Sequence, residues 1–327
     1  MKILIDDRWK GNTGIGRVYQ EVAAGIPNYV EITNLEPKIG LGSPLSPFVL
    51  GLEVNKNKGD VFYSPGFMPP FNSKVPFVIT IHDLLHVYYH SKFHRFYFKK
   101  IIAHIAKSAK KVITVSEYTK TELLKHTSIK KENIEVIYNG VSDKFRLNKE
   151  KLVLDNPYFL YIGNRRSHKN IETLIHAFAT ASIPKHFELA LSGDSDPVIQ
   201  KIINRLGIHD RIRFLGKIAE EDICKVYKGA FGLLFIPLME GFGLPLLEAM
   251  ASGTPVITSN ITSLPEIAGD AAIKVNPFNI EDIAHGIEKL SCDSGLCQEL
   301  VELGYERSNN FTWKICTDNT WNVILNT

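Results

Sequence analysis

Short apolar runs rich in β-branched residues recur along the chain at 2–5, 61–64, 77–81, 112–115, 135–138, 158–162, 188–192, 211–215, 232–236, 255–258 and 272–275. They are continuous rather than alternating, the pattern of parallel strands covered on both faces. Between most of them apolar positions return at helical spacing, as over 15–24, 96–109, 117–125, 170–179 and 245–251. Sustained strand–helix alternation of this kind predicts an α/β fold of doubly wound sheets. One sheet holding every strand would be very wide, so two Rossmann-like domains are expected. The polar stretch SDKFRLNKEKLVLDN (142–156) divides them into an N-terminal domain over 1–150 and a C-terminal domain over 151–311. A terminal helix over about 312–327 carries Trp313 and Trp321 on one face and is expected to pack, with the first domain as its place.

Composition narrows the class. The 327 residues are 44% hydrophobic and 22% charged, as in soluble globular proteins. The N-terminal MKILIDDRWK meets Asp6, Asp7 and Arg8 too early for a signal peptide. The longest strongly apolar stretch, 230–239, is roughly half of what a membrane span needs. Cys224, Cys292, Cys297 and Cys316 form no C-x-x-C pair, so free thiols in a reducing, cytoplasmic setting are expected and a zinc site is not. The net charge of +3 conceals an asymmetry. Residues 1–150 carry 22 Lys and Arg against 14 Asp and Glu (+8), and 151–327 carry 16 against 21 (−5). Between Lys92 and Lys131 eleven basic residues face only Glu117 and Glu122, so the first half is suited to an anionic partner.

In open α/β sheets ligands gather at the carboxyl ends of strands, and four such ends carry chemistry. GNTGIGR opens a helix with Gly14 and Gly16, which let backbone N–H groups approach a phosphate or sugar; a plain glycine turn has the same pattern. VITIHDLLH ends in His82 and Asp83, where an imidazole can donate a hydrogen bond to a sugar hydroxyl or leaving group, or bond its own loop instead. YIGNRRSHKN sets Gly163, Arg165, Arg166 and Lys169 between strand and helix, cations able to neutralise a diphosphate. A solvated charge run is the alternative.

The fourth end is LFIPLMEGFGLPLLEA. Glu240 falls in the turn with Gly241, and Pro245 is well placed to begin a helix whose first turn holds Glu248. The amides of Phe242, Gly243 and Leu244 are expected to face the same space. Carboxylates for hydroxyls and amides for phosphate oxygens are what a nucleotide sugar requires. Burying either glutamate unpartnered would cost on the order of several kcal/mol. The GDSDP stretch offers Asp194 and Asp196 for Mg²⁺, but its position before Pro197 favours a helix N-cap. No metal is expected.

Together these segments resemble the GT-B glycosyltransferases, specifically the retaining family four, across nearly the whole chain. YIGNRRSHKN, LALSG, RIRFLG, EGFGLPLLEAMASGTPVI and SLPEIAGDAA stand in family order, and GIGR, IHD, TVSEYTKTEL and VIYNGV match more loosely before them. The likeness is greatest to enzymes of O-antigen and capsule synthesis. It implies that Glu248 holds the ribose and Glu240 the transferred sugar. Gly241, Phe242, Gly243 and Leu244 offer amides, and Lys169 with Arg165 or Arg166 holds the diphosphate beside Gly163. His82 acts near the reacting centre, and Gly14 and Gly16 line the cleft opposite the diphosphate. The family often has arginine directly before this lysine, where His168 stands here.

The implied reaction is a retaining transfer of a hexose or N-acetylhexosamine from a UDP-, GDP- or dTDP-linked donor to a saccharide acceptor carried on a polyprenyl diphosphate. The departing phosphate would accept the acceptor's proton, and no cofactor is required. The aromatic and basic stretch 90–111 suits the anionic inner face of the plasma membrane; nucleic acid is a poor partner. A nucleotide-sugar 2-epimerase of the same fold, or a non-catalytic nucleotide-sugar-binding subunit, are the alternatives.

Overall fold

The apolar runs close into two all-parallel sheets in the computed structural model, which describes residues 1–11 and 13–327. Asn12 of the GNTGIGR turn lies outside the described residues. β1 (Lys2–Asp6), β2 (Glu31–Leu35), β3 (Val61–Ser64), β4 (Phe77–Ile81), β5 (Lys111–Thr114) and β6 (Ile134–Val136) form the first sheet, in the order β2-β1-β3-β4-β5-β6. β7 (Tyr158–Tyr161), β8 (Glu188–Leu191), β9 (Ile212–Phe214), β10 (Gly232–Phe235), β11 (Val256–Ser259) and β12 (Ile273–Val275) form the second, in the order β12-β11-β10-β7-β8-β9. Every residue of β3, β4, β7, β8, β10 and β11 is buried, so helices cover both faces as the unbroken apolar runs require. β2, absent from the sequence-based expectation, is an edge strand with only Leu35 buried, and its EITNL lacks an apolar run.

Counted from its own first strand, the second sheet runs 3-2-1-4-5-6, the Rossmann order, and its progress reverses between β7 and β10. The first sheet reverses between β1 and β3. Such switch points open a crevice at the strands' carboxyl ends.

The chain divides into unit 1, Met1–Gly140 with Trp313–Thr327, and unit 2, Val141–Thr312. The division therefore precedes the boundary expected at residue 150. The polar stretch is not a linker: Ser142 caps the helix Asp143–Leu147, which seats Phe145 against Tyr227 with ring centroids 5.6 Å apart. Leu152 N then donates to Lys225 O (2.8 Å). The helix Trp313–Leu325 packs within unit 1, where Trp321 Nε1 donates to Val22 O (2.9 Å). Gly25 is required by that docking, because a Cβ there would lie 2.2 Å from Thr317 Cγ2. The helix expected over 96–109 is instead three segments: Lys92–Tyr97, a π-helical Phe98–Ile102, and Ala103–Ala106. No helix among the described residues is long and apolar enough to cross a membrane.

Candidate active site

In unit 2 the loops after β7 and β10 are stitched to each other at the switch point. Leu238 N donates to His168 O (2.8 Å). Asn170 Nδ2 donates to Ile236 O (3.2 Å) and to Pro277 O (2.8 Å). Asn170 takes a left-handed φ of 60°, which asparagine tolerates better than most residues. Between these anchors Lys169 Nζ stands 2.5 Å from Glu240 Oε2, with side-chain exposures of 14% and 21%. The ammonium also lies 5.4 Å from the centroid of the Phe235 ring. Lysine has three donors and a carboxylate about four acceptor positions, so the pair retains capacity for a ligand. His168, where the family often has arginine, is buried.

The turn beyond Glu240 is held by a residue that sequence reasoning did not single out. Ser263 Oγ lies 3.0 Å from Glu240 O and 3.2 Å from Phe242 O. Gly243 has φ 105°, and a Cβ there would meet Leu264 Cδ2 at 2.7 Å, so conformation and space both exclude a side chain. The Phe242 ring is buried and packs edge-on to Phe311 at 6.0 Å, which leaves its backbone as the part able to meet a ligand. Gly241 is buried in the same turn.

The helix begins at Leu244, with Pro245 in its first turn. Glu248 is therefore the fifth helical residue, one position further in than expected, and the first turn holds no acidic residue. Its Oε2 accepts from Tyr227 Oη (2.7 Å), a second residue the sequence did not flag. Burial, followed by the charge of Glu248, pushes the Tyr227 phenol well above its ordinary pKa, so it remains a donor.

The two arginines differ. Arg165 Nη1 donates to Asp194 O and Asp196 Oδ2, and Nη2 donates to Ser192 O (3.2 Å). Asp196 also caps the helix Pro197–Leu206, accepting from Val198 N and Ile199 N (both 3.0 Å). Desolvation would raise the Asp196 pKa, but the Ile199 amide, Arg165 and the Val198 amide together hold it below the usual carboxylate value. Arg166 is exposed, and its guanidinium has no hydrogen bond or ion pair among the described residues. Gly163, at φ 150°, starts this loop. Among the described residues no group of three or more His, Cys, Asp or Glu side chains is placed to share a metal ion.

In unit 1, Thr13 Oγ1 caps the helix Gly14–Ala24 by accepting from Gly16 N (3.0 Å). A Cβ on Gly16 would lie 1.9 Å from Gly11 O, so only glycine fits. Gly14 has open space around it, and packing gives no reason for glycine there. His82, beyond the end of β4, reaches the loop after β3, its Nε2 lying 2.7 Å from Pro65 O. Desolvation lowers its pKa, against the opposing effects of the Pro65 carbonyl and Asp83. A neutral ring that donates through Nε2 leaves Nδ1 as an acceptor. The donation to a ligand expected of His82 is thus spent on Pro65 in this arrangement.

Two Rossmann-like units, the second with a cation–carboxylate pair at its switch point, describe a GT-B glycosyltransferase. Residues 143–307 match the family Glycosyl transferases group 1, and residues 13–145 match Glycosyltransferase Family 4. The chain belongs to this family. It is 31% identical over 286 residues to the O-antigen chain mannosyltransferase B of Escherichia coli, covering 81% of this chain and 74% of that protein. It is 31% identical over 252 residues to the O-antigen chain mannosyltransferase RfbU of Salmonella typhimurium, covering 76% and 68%. The fold matches the crystal structure of Anabaena Alr3699/HepE in complex with UDP and glucose at a TM-score of 0.82, with 18% identity over all of both chains. It also matches WaaG, a glycosyltransferase involved in lipopolysaccharide biosynthesis, at 0.74 with 15% identity over 99% of each.

Proposed function

We propose that this glycosyltransferase moves a hexose, with mannose first in line, from a nucleotide diphosphate to a saccharide hydroxyl with retention at the anomeric carbon. The setting is synthesis of a bacterial surface polysaccharide such as O-antigen. The Lys169–Glu240 contact carries this reading. It sets a cation for the leaving diphosphate against a carboxylate for the sugar hydroxyls, on two loops anchored to each other. The O-antigen mannosyltransferases among its relatives support the sugar and the setting, and the UDP and glucose bound by Alr3699/HepE support the donor class.

In this reading Lys169 and Arg166 hold the diphosphate. Arg166 is recruited without disturbing a partner, whereas Arg165 would have to share its guanidinium with Asp196, so Arg165 positions the loop. Glu240 holds the sugar, and Glu248, fixed by Tyr227, holds the ribose. Amides of the 241–244 turn and the positive end of its helix face developing phosphate charge. By the family resemblance His82 would act near the reacting centre and Gly14 and Gly16 near the diphosphate, and the leaving phosphate takes the acceptor's proton without a metal. The acceptor is a polyprenyl-diphosphate-linked saccharide met at the inner membrane surface. Phe93 and Phe96, each 60% exposed among Lys92, Arg95, Lys99 and Lys100, suit contact there.

A thermal-shift screen of UDP-, GDP- and dTDP-sugars should select one donor, since ligand binding raises the melting temperature by mass action. Anomeric analysis by NMR of the product made from that donor and a saccharide acceptor should then show retention. An inverted product, or free epimerised sugar formed without acceptor, would overturn the proposal.

A further inference from the structure

At the amino ends of β4 and β5, the opposite edge of the first sheet from His82, lies a cavity of about 710 Å³. The five residues of β4 separate the two edges by roughly 16 Å of strand. The cavity is walled by residues 70–77 and by His104, Ile105, Ser108 and Lys110, with Thr327 beside them. Lys74, His104 and Lys110 bring positive or protonatable groups; no Asp or Glu side chain lines the space, and the carboxyl group of Thr327 is the one acidic group beside it among the described residues. Among the described residues none of these three side chains makes an ion pair or hydrogen bond.

The wall is built rather than loose. Asn55 Nδ2 donates to Asn72 O (3.0 Å), and Lys74 N donates to Asn55 Oδ1 (2.7 Å). Asn72 takes φ 50°, and Ser73 Oγ donates to Val75 O (2.7 Å). Gly51 lets the helix Ser46–Asn57 close onto this loop, because a Cβ there would lie 1.9 Å from Phe71 O. That helix presents Phe48 and Leu52 to solvent, with Leu45 exposed just before its start, and the Phe48 ring packs 4.6 Å from exposed Phe71 at the cavity's lip. Tyr97 Oη donates to Pro44 O (2.9 Å), joining this apolar strip to the helix that bears Phe93 and Phe96. A contiguous exposed apolar strip beside unpaired cations marks an interaction site. A phosphate bonded to lysine ammoniums, with acyl chains along the aromatic lip, satisfies both halves.

We propose that this cavity seats the phosphate headgroup of one anionic phospholipid of the bilayer, its chains lying against Leu45, Phe48, Leu52 and Phe71. The inference rests on the membrane contact proposed above and adds a defined headgroup seat to it. The test is co-sedimentation of the full chain with phosphatidylcholine vesicles, with and without phosphatidylglycerol. The Lys74→Gln/Lys110→Gln variant is compared with Lys130→Gln/Lys131→Gln, two exposed lysines of unit 1 outside the cavity. At about 1 kcal/mol per basic residue near an anionic surface, the cavity pair should weaken binding to phosphatidylglycerol vesicles roughly thirtyfold, and the control pair much less. Equal losses in the two variants would mean diffuse attraction and overturn the seat. So would unaltered binding of the cavity variant, or no vesicle binding at all. Inorganic phosphate raising the melting temperature of the wild type but not of the cavity variant, without vesicle binding, would reassign the cavity to a free anion and overturn the lipid. Nucleotide binding by unit 2, measured on the same proteins, should not change, so failure here and failure of the glycosyltransferase mechanism are read separately.

Discussion

Replacing Lys169 by methionine and Glu240 by glutamine, singly and together, tests the central pair. Each single change leaves one charge facing a neutral partner. Breaking a fully buried pair costs about 3–5 kcal/mol, whereas an exposed pair contributes about 0–1 kcal/mol. With 14% and 21% of these side chains exposed, either single variant should lose about 2–3 kcal/mol. In a unit of this size each kcal/mol lowers the melting temperature by about 2–4 °C, which gives a drop of roughly 4–12 °C. The double variant leaves no orphaned charge, so it should lose about 1–2 kcal/mol less than the sum of the two singles. Turnover should behave differently. Loss of one transition-state donor costs about 10²–10³ in kcat, and removing Glu240 cannot restore it. The expected outcome is a double variant that regains melting temperature and stays catalytically dead, read by calorimetry and steady-state kinetics. Additive melting losses would refute the pair, and Lys169→Met turnover within about tenfold of wild type would refute the diphosphate role.

Other consequences follow from the same geometry. Arg166→Ala should weaken nucleoside diphosphate binding in calorimetry while leaving stability unchanged, and Arg165→Ala should lower the melting temperature by freeing Asp196; the reverse pattern would transfer the diphosphate contact to Arg165. Tyr227→Phe removes a hydrogen bond to a carboxylate of the kind that contributes about 1.5–3 kcal/mol, so nucleotide affinity should fall roughly tenfold or more, and unaltered affinity would detach Glu248 from the ribose. The pKa values of His82, His86 and His126 are all lowered, desolvation being the largest cause in each. The unfolded chain therefore takes up these protons first, and stability should be lost as pH falls below about 6.5; a melting temperature that is flat or rises from pH 7 toward pH 5 would contradict this.

Apolar runs made the interior of both sheets legible in the sequence, because a strand buried on both faces has no alternative composition. β2 was not legible, because an edge strand needs neither a continuous run nor a buried face. The polar stretch after Ser142 misled for a related reason: its single core residue, Phe145, is enough to bind a short helix to unit 2, and one phenylalanine among charges carries no periodicity. At the site, types and spacing pointed to Lys169, Glu240 and Glu248, but their supports were invisible. Ser263, Tyr227 and Asn170 act through one or two side-chain hydrogen bonds made across long sequence separations, and no local pattern distinguishes such a serine or tyrosine from any other. Asp196 was legible as a cap because the residue before Pro197 has a local task; its second task, holding Arg165, was not.

The polar contacts also bear on how the site would work. Lys169 is held by Glu240, Glu248 by Tyr227 and Arg165 by Asp196 before any ligand arrives. Charges in water spend free energy reorganising when a transition state forms, whereas groups already fixed by partners do not. The partners chosen are ones that leave coordination unused: an ammonium with one of three donors engaged, and a carboxylate with one oxygen bonded. A diphosphate would then add to the network rather than dismantle it, and Arg166, exposed and with no side-chain partner among the described residues, would be the group able to move to meet it. If the proposed mechanism holds, the ties of the 163–170 and 237–244 loops through Leu238, Asn170 and Ser263 would contribute to catalysis. Ser263→Ala should therefore lower kcat, though its side chain meets only the carbonyls of Glu240 and Phe242.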